Sequence, residues 1–401
     1  MHDTITGLIH HPYGPPAGFE APQPGIFKAS TVFFPDVAAM RSQEWKDKTS
    51  YTYGLHGTPT SYVLEERLCT LEGGEQCLLV PSGLAALALV ATSLLKSGDE
   101  VLLPANAYGP NKTLVEGELM GWGITHQYYD PLDPQDLEAQ ISSRTKLVWL
   151  EAAGSVTLEF PNIVEMVRIC QRRKVLSALD NTWGAGLAFK PFDLVPGESL
   201  AVGVDVSAHA LTKYPSGGGD VLMGSVITRN PGLHLKLKLT HMRFGIGVGM
   251  NDVELVLRSL PSIELRYRAQ DMATRELAVW AQAQPEFVQV LHPALEESPG
   301  HAHWLALCGD AMGRAACLFS VILDVRFTQT QTDAFCNALK LFRLGYSWAG
   351  PVSLVVPYEL EGMRNGWPAH LLRGTLVRFA VGLERVEDLQ ADIAQALQAL
   401  R

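Results

Sequence analysis

The sequence predicts an α/β protein with a large domain on a mostly parallel sheet, a smaller C-terminal α/β domain and an irregular N-terminal arm. Three observations carry that reading. Short, nearly continuous apolar runs at residues 77–80, 100–103, 146–150 and 175–180, with a further strand at 124–129, alternate with helix-length stretches. A parallel strand covered by helices on both faces reads that way, whereas a half-exposed strand alternates. The chain of 401 residues also exceeds the size at which a single core keeps growing, so two domains follow. Residues 1–60, finally, are rich in Pro, Gly and aromatics without a sustained period. The divisions expected are 1–60 for the arm, 61–250 for the large domain and 251–401 for the small one.

The arm is too apolar to leave in water, so it is expected to lie across something, a neighbouring subunit being one choice. Residues 61–71 read as a helix and 77–80 as a strand. Pro81-Ser82-Gly83 then opens a helical run at 84–95. A glycine turn feeding a helix start offers free N–H groups and a positive dipole end to an anion, besides being an ordinary capped start. Strand 100–103 leads into Asn106-Ala107-Tyr108-Gly109, strands 124–129 and 146–150 follow, and the amphipathic run 161–174 is a crossover helix. Strand 175–180 ends in an acid, and 201–206 reads as the next buried strand. Residues 220–228 read as a strand, and Gly245-Ile246-Gly247-Val248-Gly249 marks a boundary. Residues 253–283 form a long helix interrupted by Pro261. A strand at 319–325, a helix at 328–341, a strand at 376–382 and a helix at 386–400 build the small domain.

Two strand ends carry the chemistry. Lys213 sits where an apolar strand gives way to Gly217-Gly218-Gly219. Burial disfavours the ammonium, so the amine becomes a nucleophile fit for a carbonyl cofactor, and the glycines let the backbone approach a bulky ligand. A lone lysine there reads better as a solvated side chain, and a lone Asp180 as a helix cap. Together they sit on the carboxyl edge of one sheet, where ligands collect. A lysine for an aldehyde and a carboxylate for a pyridine nitrogen are the pair that pyridoxal phosphate (PLP) requires.

Leu211-Thr212-Lys213-Tyr214 and Asp180-Asn181-Thr182-Trp183 resemble the Thr-Lys-Tyr and Asp-Asn-Thr motifs of the Cys/Met-metabolism family of PLP enzymes. The likeness runs from about Ser30 to Leu383. It implies the aspartate-aminotransferase-like fold (fold type I) and PLP as cofactor. It also implies Ser82, Gly83 and Leu84 at the phosphate, with Thr182, Thr212 and His56 as further contacts and Tyr108 stacked on the ring. Arg378, in Arg378-Phe379-Ala380-Val381-Gly382-Leu383-Glu384, matches the arginine that holds the substrate carboxylate, although an internal salt bridge would also explain a buried arginine. Tyr53 matches a tyrosine that reaches the neighbour's site. Ser347-Trp348-Ala349-Gly350 is similar to the Ser-Trp-x-Gly of the family's cystathionine β-lyases, where γ-type members more often show Ser-Leu-Gly. Three positions depart from the pattern: Leu55 replaces an arginine, Ala210 a serine, and Val352 stands near a missing glutamate. Thr212, Ser207, His209 and the Gly83 turn remain as phosphate donors. His56 is left with two readings, a substitute contact or a structural histidine.

What the resemblance implies is β-elimination of cystathionine to homocysteine, pyruvate and ammonia. Tyr53 or Tyr108 would accept the substrate amine's proton, and Lys213 would move the Cα proton to the departing sulfur. The alternatives are γ-synthase or γ-lyase chemistry, and a PLP-fold binding subunit without catalysis. The expected partner is a small sulfur amino acid, and the expected assembly a homotetramer, a dimer of catalytic dimers. A net charge of −10 without a basic block argues against nucleic acid. The six cysteines lack metal or disulfide spacing and are expected as buried thiols; no metal is expected. Neither a signal core nor a membrane-length apolar run is found, so a cytoplasmic protein with no membrane partner is expected.

Overall fold

The computed structural model describes residues 3–42, 44–46, 48–198, 201–364 and 366–400. Seven strands form the large sheet: β1 (Gln76–Val80), β2 (Glu100–Pro104), β3 (Thr125–Tyr129), β4 (Thr145–Glu151), β5 (Leu176–Asp180), β6 (Val206–Ala210) and β7 (Gly224–Thr228). Their order is β1-β7-β6-β5-β4-β2-β3, and β7 alone runs against its neighbours. Alternate residues of each strand feed opposite cores. Cys77 and Leu79 join Leu64, Leu68, Met166 and Leu179 on one face. Leu78 and Val80 join Ala86, Val90, Leu103 and Val206 on the other. Both faces of the inner strands are therefore buried, which is why they read as unbroken apolar runs, whereas the edge strand β3 alternates between exposed and buried positions.

Two strands begin later than the sequence suggests. The ladder of β6 with β5 starts at Val206, opposite Ala178, and the strand runs on to Ala210 instead of ending at residue 206. Val202 and Val204 are buried but bond to Leu194 and Pro191 in a loop, so their apolarity reports packing without pairing. Ser207 and His209 hide the true strand, because Glu72 satisfies both side chains. Likewise β7 covers 224–228 and not 220–228, since the turn after the glycines extends to Met223.

Helix Met250–Ser259, a 3-10 turn at Leu260–Ser262 containing Pro261, and helix Ile263–Gln282 make the spine. Val253 to Tyr267 contribute to the large core, and residues from Leu277 onward to the second core. The small sheet holds β8 (Phe287–Leu291), β9 (Leu318–Asp324), β10 (Arg343–Leu344), β11 (Leu354–Tyr358) and β12 (Gly374–Ala380) in the order β10-β11-β12-β9-β8. Its pairs are antiparallel except β10 with β11. Phe379 anchors it, stacked on Phe319 at 4.9 Å and edge-on to Phe342 at 5.1 Å. Strand β11 tolerates Pro357 because β10 pairs only with Leu354 and Val355, leaving the proline's missing N–H without consequence.

The arm is not wholly irregular. Helix Thr4–Ile9 buries Leu8 against helix Pro59–Glu72, and a second short helix spans Val37–Ser42. Beyond the first helix the arm stays exposed, with Phe19, Phe27 and Met40 about half accessible and Phe33 at 92 %. All six cysteines are buried thiols. Among the described residues no helix is long and apolar enough to cross a membrane.

Glu72 ties helix Pro59–Glu72 to the sheet, accepting from His209 Nδ1 at 2.8 Å, Asn181 Nδ2 at 3.0 Å and the Ser207 hydroxyl. Burial pushes its carboxyl up, but these donors outweigh it and hold the pKa below the usual range. Glu72→Ala strands them and is expected to cost about 3–5 kcal/mol in urea unfolding. A folded carboxyl pKa below the unfolded one stabilises above the unfolded value and loses that contribution as pH falls. The difference between wild type and Glu72→Ala should therefore shrink toward acid, and one independent of pH would refute the ionised assignment.

Candidate active site

The carboxyl ends of β4, β5 and β6 open into a cavity of about 530 Å³. Lys213 stands in the turn after β6, its amide bonded to the Ala210 carbonyl at 3.1 Å. Its Nζ donates to Ser347 Oγ at 2.7 Å and lies 5.4 Å from the centre of the Trp348 ring. Burial, with the Arg378 cation nearby, lowers its pKa to about 8, so the neutral amine is far easier to reach near neutrality than for a free lysine. Trp348 in turn packs edge-on against Tyr214, whose hydroxyl accepts from the Cys317 amide at 2.8 Å.

Asp180 ends β5, where its Oδ1 accepts from the Thr182 amide at 3.1 Å and the Thr182 hydroxyl at 2.6 Å. The aspartate does cap the following turn, and it lines the cavity as well. The same Thr182 hydroxyl accepts from the Ala210 amide at 3.0 Å, fixing the end of β5 to the end of β6. Burial raises the Asp180 pKa against the pull of Thr182, His209 and Lys213.

The turn into helix Gly83–Leu94 is pressed onto β6 and β7. Ser82 Oγ caps the helix by accepting from the Ala85 amide at 3.0 Å. A Cβ on Gly83 would come within 2.5 Å of Ala210 Cβ, so only glycine fits. The first-turn amides of Gly83 and Leu84 have no acceptor within the helix, and both residues line the cavity. An anion held there would be bound by backbone N–H groups and the helix dipole. Thr212 also lines it, although its hydroxyl is engaged with the Met223 backbone.

Arg378 enters from β12. Its guanidinium is 7 % exposed, donates to the Ser347 carbonyl at 3.2 Å and lies 5.5 Å from the Tyr358 ring centre. Its Nε has no partner, and among the described residues no carboxylate lies within ion-pair distance. The internal salt bridge is thus not made, and a buried unpaired guanidinium is a ready seat for a carboxylate.

The cavity brings together Lys213, Asp180, Thr182, Thr212, Ser82, Gly83, Leu84, Tyr108, Ser347, Trp348 and Arg378. It leaves out Tyr53 and His56. Tyr53 is 46 % exposed beside Lys28 and Leu55, and His56 bonds Thr52 Oγ1 at 2.8 Å and stacks on Trp45. The Ser207 hydroxyl is spent on Glu72, whereas His209 commits only Nδ1 to Glu72 and lines the cavity with its Nε2 unpartnered. The Tyr108 phenol is pushed up by burial and the nearby carboxylates, so this chain alone does not make it a base near neutrality.

Several wall residues escaped the sequence. Glu151 ends β4 as Asp180 ends β5, and the same signal of an acid closing an apolar strand identifies it. Tyr358 and Met363 also line the cavity. Behind the wall, buried Glu159 accepts from Arg364 Nη1 at 2.8 Å and Nη2 at 3.0 Å, His370 Nε2 at 3.0 Å, Asn106 Nδ2 at 2.9 Å and the Thr157 hydroxyl. No local pattern announces these partners, which lie as far as 211 positions away.

The profile of the Cys/Met metabolism PLP-dependent enzyme family matches residues 5–398. The chain belongs to this family. It is 33 % identical to the cystathionine β-lyase of Bordetella avium, over 99 % of each chain. It is 32 % identical to the L-alanine/L-glutamate racemase of Wolbachia pipientis wMel, over 94 % of this chain and 92 % of that one. The crystal structure of metB from Corynebacterium glutamicum superposes with a TM-score of 0.88 at 26 % identity, covering 100 % of this chain and 99 % of that one. The fold is that of type I PLP enzymes, and PLP is the cofactor. The donor set fits it, with a buried amine of lowered pKa, a hydrogen-bonded carboxylate and an amide cradle without a Cβ. Gly83→Ala is expected to weaken PLP binding by about tenfold to a hundredfold, as loss of one or more amide contacts to the anion would. Equilibrium titration of the apoprotein checks this, with circular dichroism confirming an intact fold.

Proposed function

We propose that the protein cleaves a carbon–sulfur bond by β-elimination, with cystathionine and water giving homocysteine, pyruvate and ammonia. One observation carries most weight: Ser347 and Trp348 stand directly on Lys213, and Ser347 also ties in Arg378. Bound PLP supplies an electron sink for charge at the substrate Cα. Asp180 would hold a proton on the ring nitrogen. Gly83, Leu84, Ser82 and Thr212 would seat the phosphate, and Tyr108 and Thr182 the ring. Arg378 would fix the substrate carboxylate through its unpaired face, aligning the Cα–H with Lys213. Lys213, with its lowered pKa, would take that proton and return one to the departing sulfur. Likeness to the named β-lyase supports the reading.

Racemisation is a second reading, favoured by the racemase relative, in which Lys213 takes the Cα proton and a second acid on the opposite face delivers one, with no bond to sulfur broken. Product analysis decides. Pyruvate with homocysteine from L-cystathionine is expected; 2-oxobutyrate would signify γ chemistry, and D-amino acid without keto acid would signify racemisation. Lys213→Ala should remove the visible band of the lysine-bound cofactor and lower turnover by at least about a thousandfold. Near wild-type turnover in that variant would sink every PLP reading.

Tyr53, outside its own chain's cavity on an exposed apolar arm, is proposed to complete the site of a second copy. Mixing Tyr53→Phe with Lys213→Ala is then expected to restore activity, since hybrid dimers regain one intact site. Only additive residual activity, after subunit exchange is verified by mass spectrometry, would refute it.

A further inference from the structure

Two carboxylates close neighbouring strands at the floor of the cavity. Glu151 of β4 is in register with Asp180 of β5, and both line the cavity. Their surroundings are unequal. Asp180 receives two hydrogen bonds from Thr182 and shares the cavity with the Lys213 and Arg378 cations. Glu151, 9 % exposed, accepts at Oε2 from the Tyr108 amide at 2.8 Å and has the Ser155 amide beside it, with no side-chain donor among the described residues. Among the described residues no cation lies within ion-pair distance of it. The nearest charged group on the packed helix is Lys112, whose ammonium is committed to the carbonyls of Ala105 and Met363. Tyr108 and the buried Tyr129 are the other titratable groups close to it.

We propose that Glu151 is a positioning residue that acts as a neutral carboxylic acid, seating Tyr108 while leaving Asp180 as the single charge for the ring nitrogen. The asymmetry of surroundings assigns the proton. Like charges on adjacent strand ends cannot both ionise cheaply, and the carboxylate that has a hydroxyl donor and shares the cavity with the Lys213 and Arg378 cations keeps the charge. The direction of the Glu151 pKa agrees, pushed well above the usual range by burial and then by Asp180. Glu151 thus holds the Tyr108 backbone while standing beside Asp180 across the strand pair. The inference rests on the cofactor assignment and is independent of which bond the enzyme breaks.

Glu151→Gln keeps the acceptor and the neutral charge, whereas Glu151→Ala removes both. For PLP titrated into the full-length protein, Glu151→Gln is expected within about threefold of wild type and Glu151→Ala about tenfold weaker. The second measurement is melting temperature against pH for wild type and Glu151→Gln, with and without PLP. An acid whose folded pKa is raised contributes its stability below the unfolded pKa, and loses it as pH rises toward the folded pKa. Wild type should fall behind Glu151→Gln as pH rises from 5, by up to about tenfold per pH unit in the unfolding constant. Parallel curves from pH 5 to 9, or a Glu151→Gln protein as weak for PLP as Glu151→Ala, would overturn the proposal. If Glu151→Ala fails to fold, the pH comparison with Glu151→Gln still decides. Absence of pyruvate alongside these expected results would refute the β-elimination reading and leave the Glu151 assignment standing.

Discussion

The hydroxyl and carbonyl of Ser347 hold two cations that would otherwise repel each other across the domain junction. Lys213 arrives from the large sheet and Arg378 from the small one, and each donates to this one residue. Its backbone sits at φ 90°, with Ala349 also on the left-handed side at φ 64°, so the segment is bent to reach both. Burial, and then the Arg378 cation, lowers the Lys213 pKa, so the amine gives up its proton more readily than a free lysine. The lysine's pKa and the guanidinium's position thus depend on one arrangement.

Around that junction the remaining groups divide by backbone and side chain. The proposed ring end of the cofactor site is made of side chains, Asp180 and Thr182 with Tyr108, each at or shortly after a strand end. The proposed phosphate end is made of the Gly83–Leu84 amides, pressed close to the small Ala210. With alanine at 210 and leucine at 55, where relatives are expected to carry serine and arginine, the anion seat leans on the helix start.

The large domain and its motifs were legible because burial on both faces writes long apolar runs, and because Lys213 and Asp180 end such runs. What the sequence concealed follows from polar groups satisfied at a distance. Ser207 and His209 masked strand β6, since Glu72 answers the Ser207 hydroxyl and His209 Nδ1 from a helix more than a hundred positions earlier. Glu151 was readable by the very signal that found Asp180. Strands β10 and β11 were not, the first being two residues long and the second containing Pro357. Leu55 and His56, assigned together by local motif, sit with the arm and away from this chain's cavity.

The carboxylate of Glu159 gathers donors from the segments bearing Asn106, Thr157, Arg364 and His370. Three of those donors lie one or two positions from cavity-wall residues, Tyr108, Val156 and Met363. The wall toward the substrate is consequently one mechanical piece made from both domains. Altering substrate choice by moving Met363 would drag Arg364, and through Glu159 the supports of Tyr108 and Val156. Divergence of specificity in this enzyme should proceed by exchanging side chains on a fixed wall, while insertions in the crossing segment carry a cost felt at the cofactor.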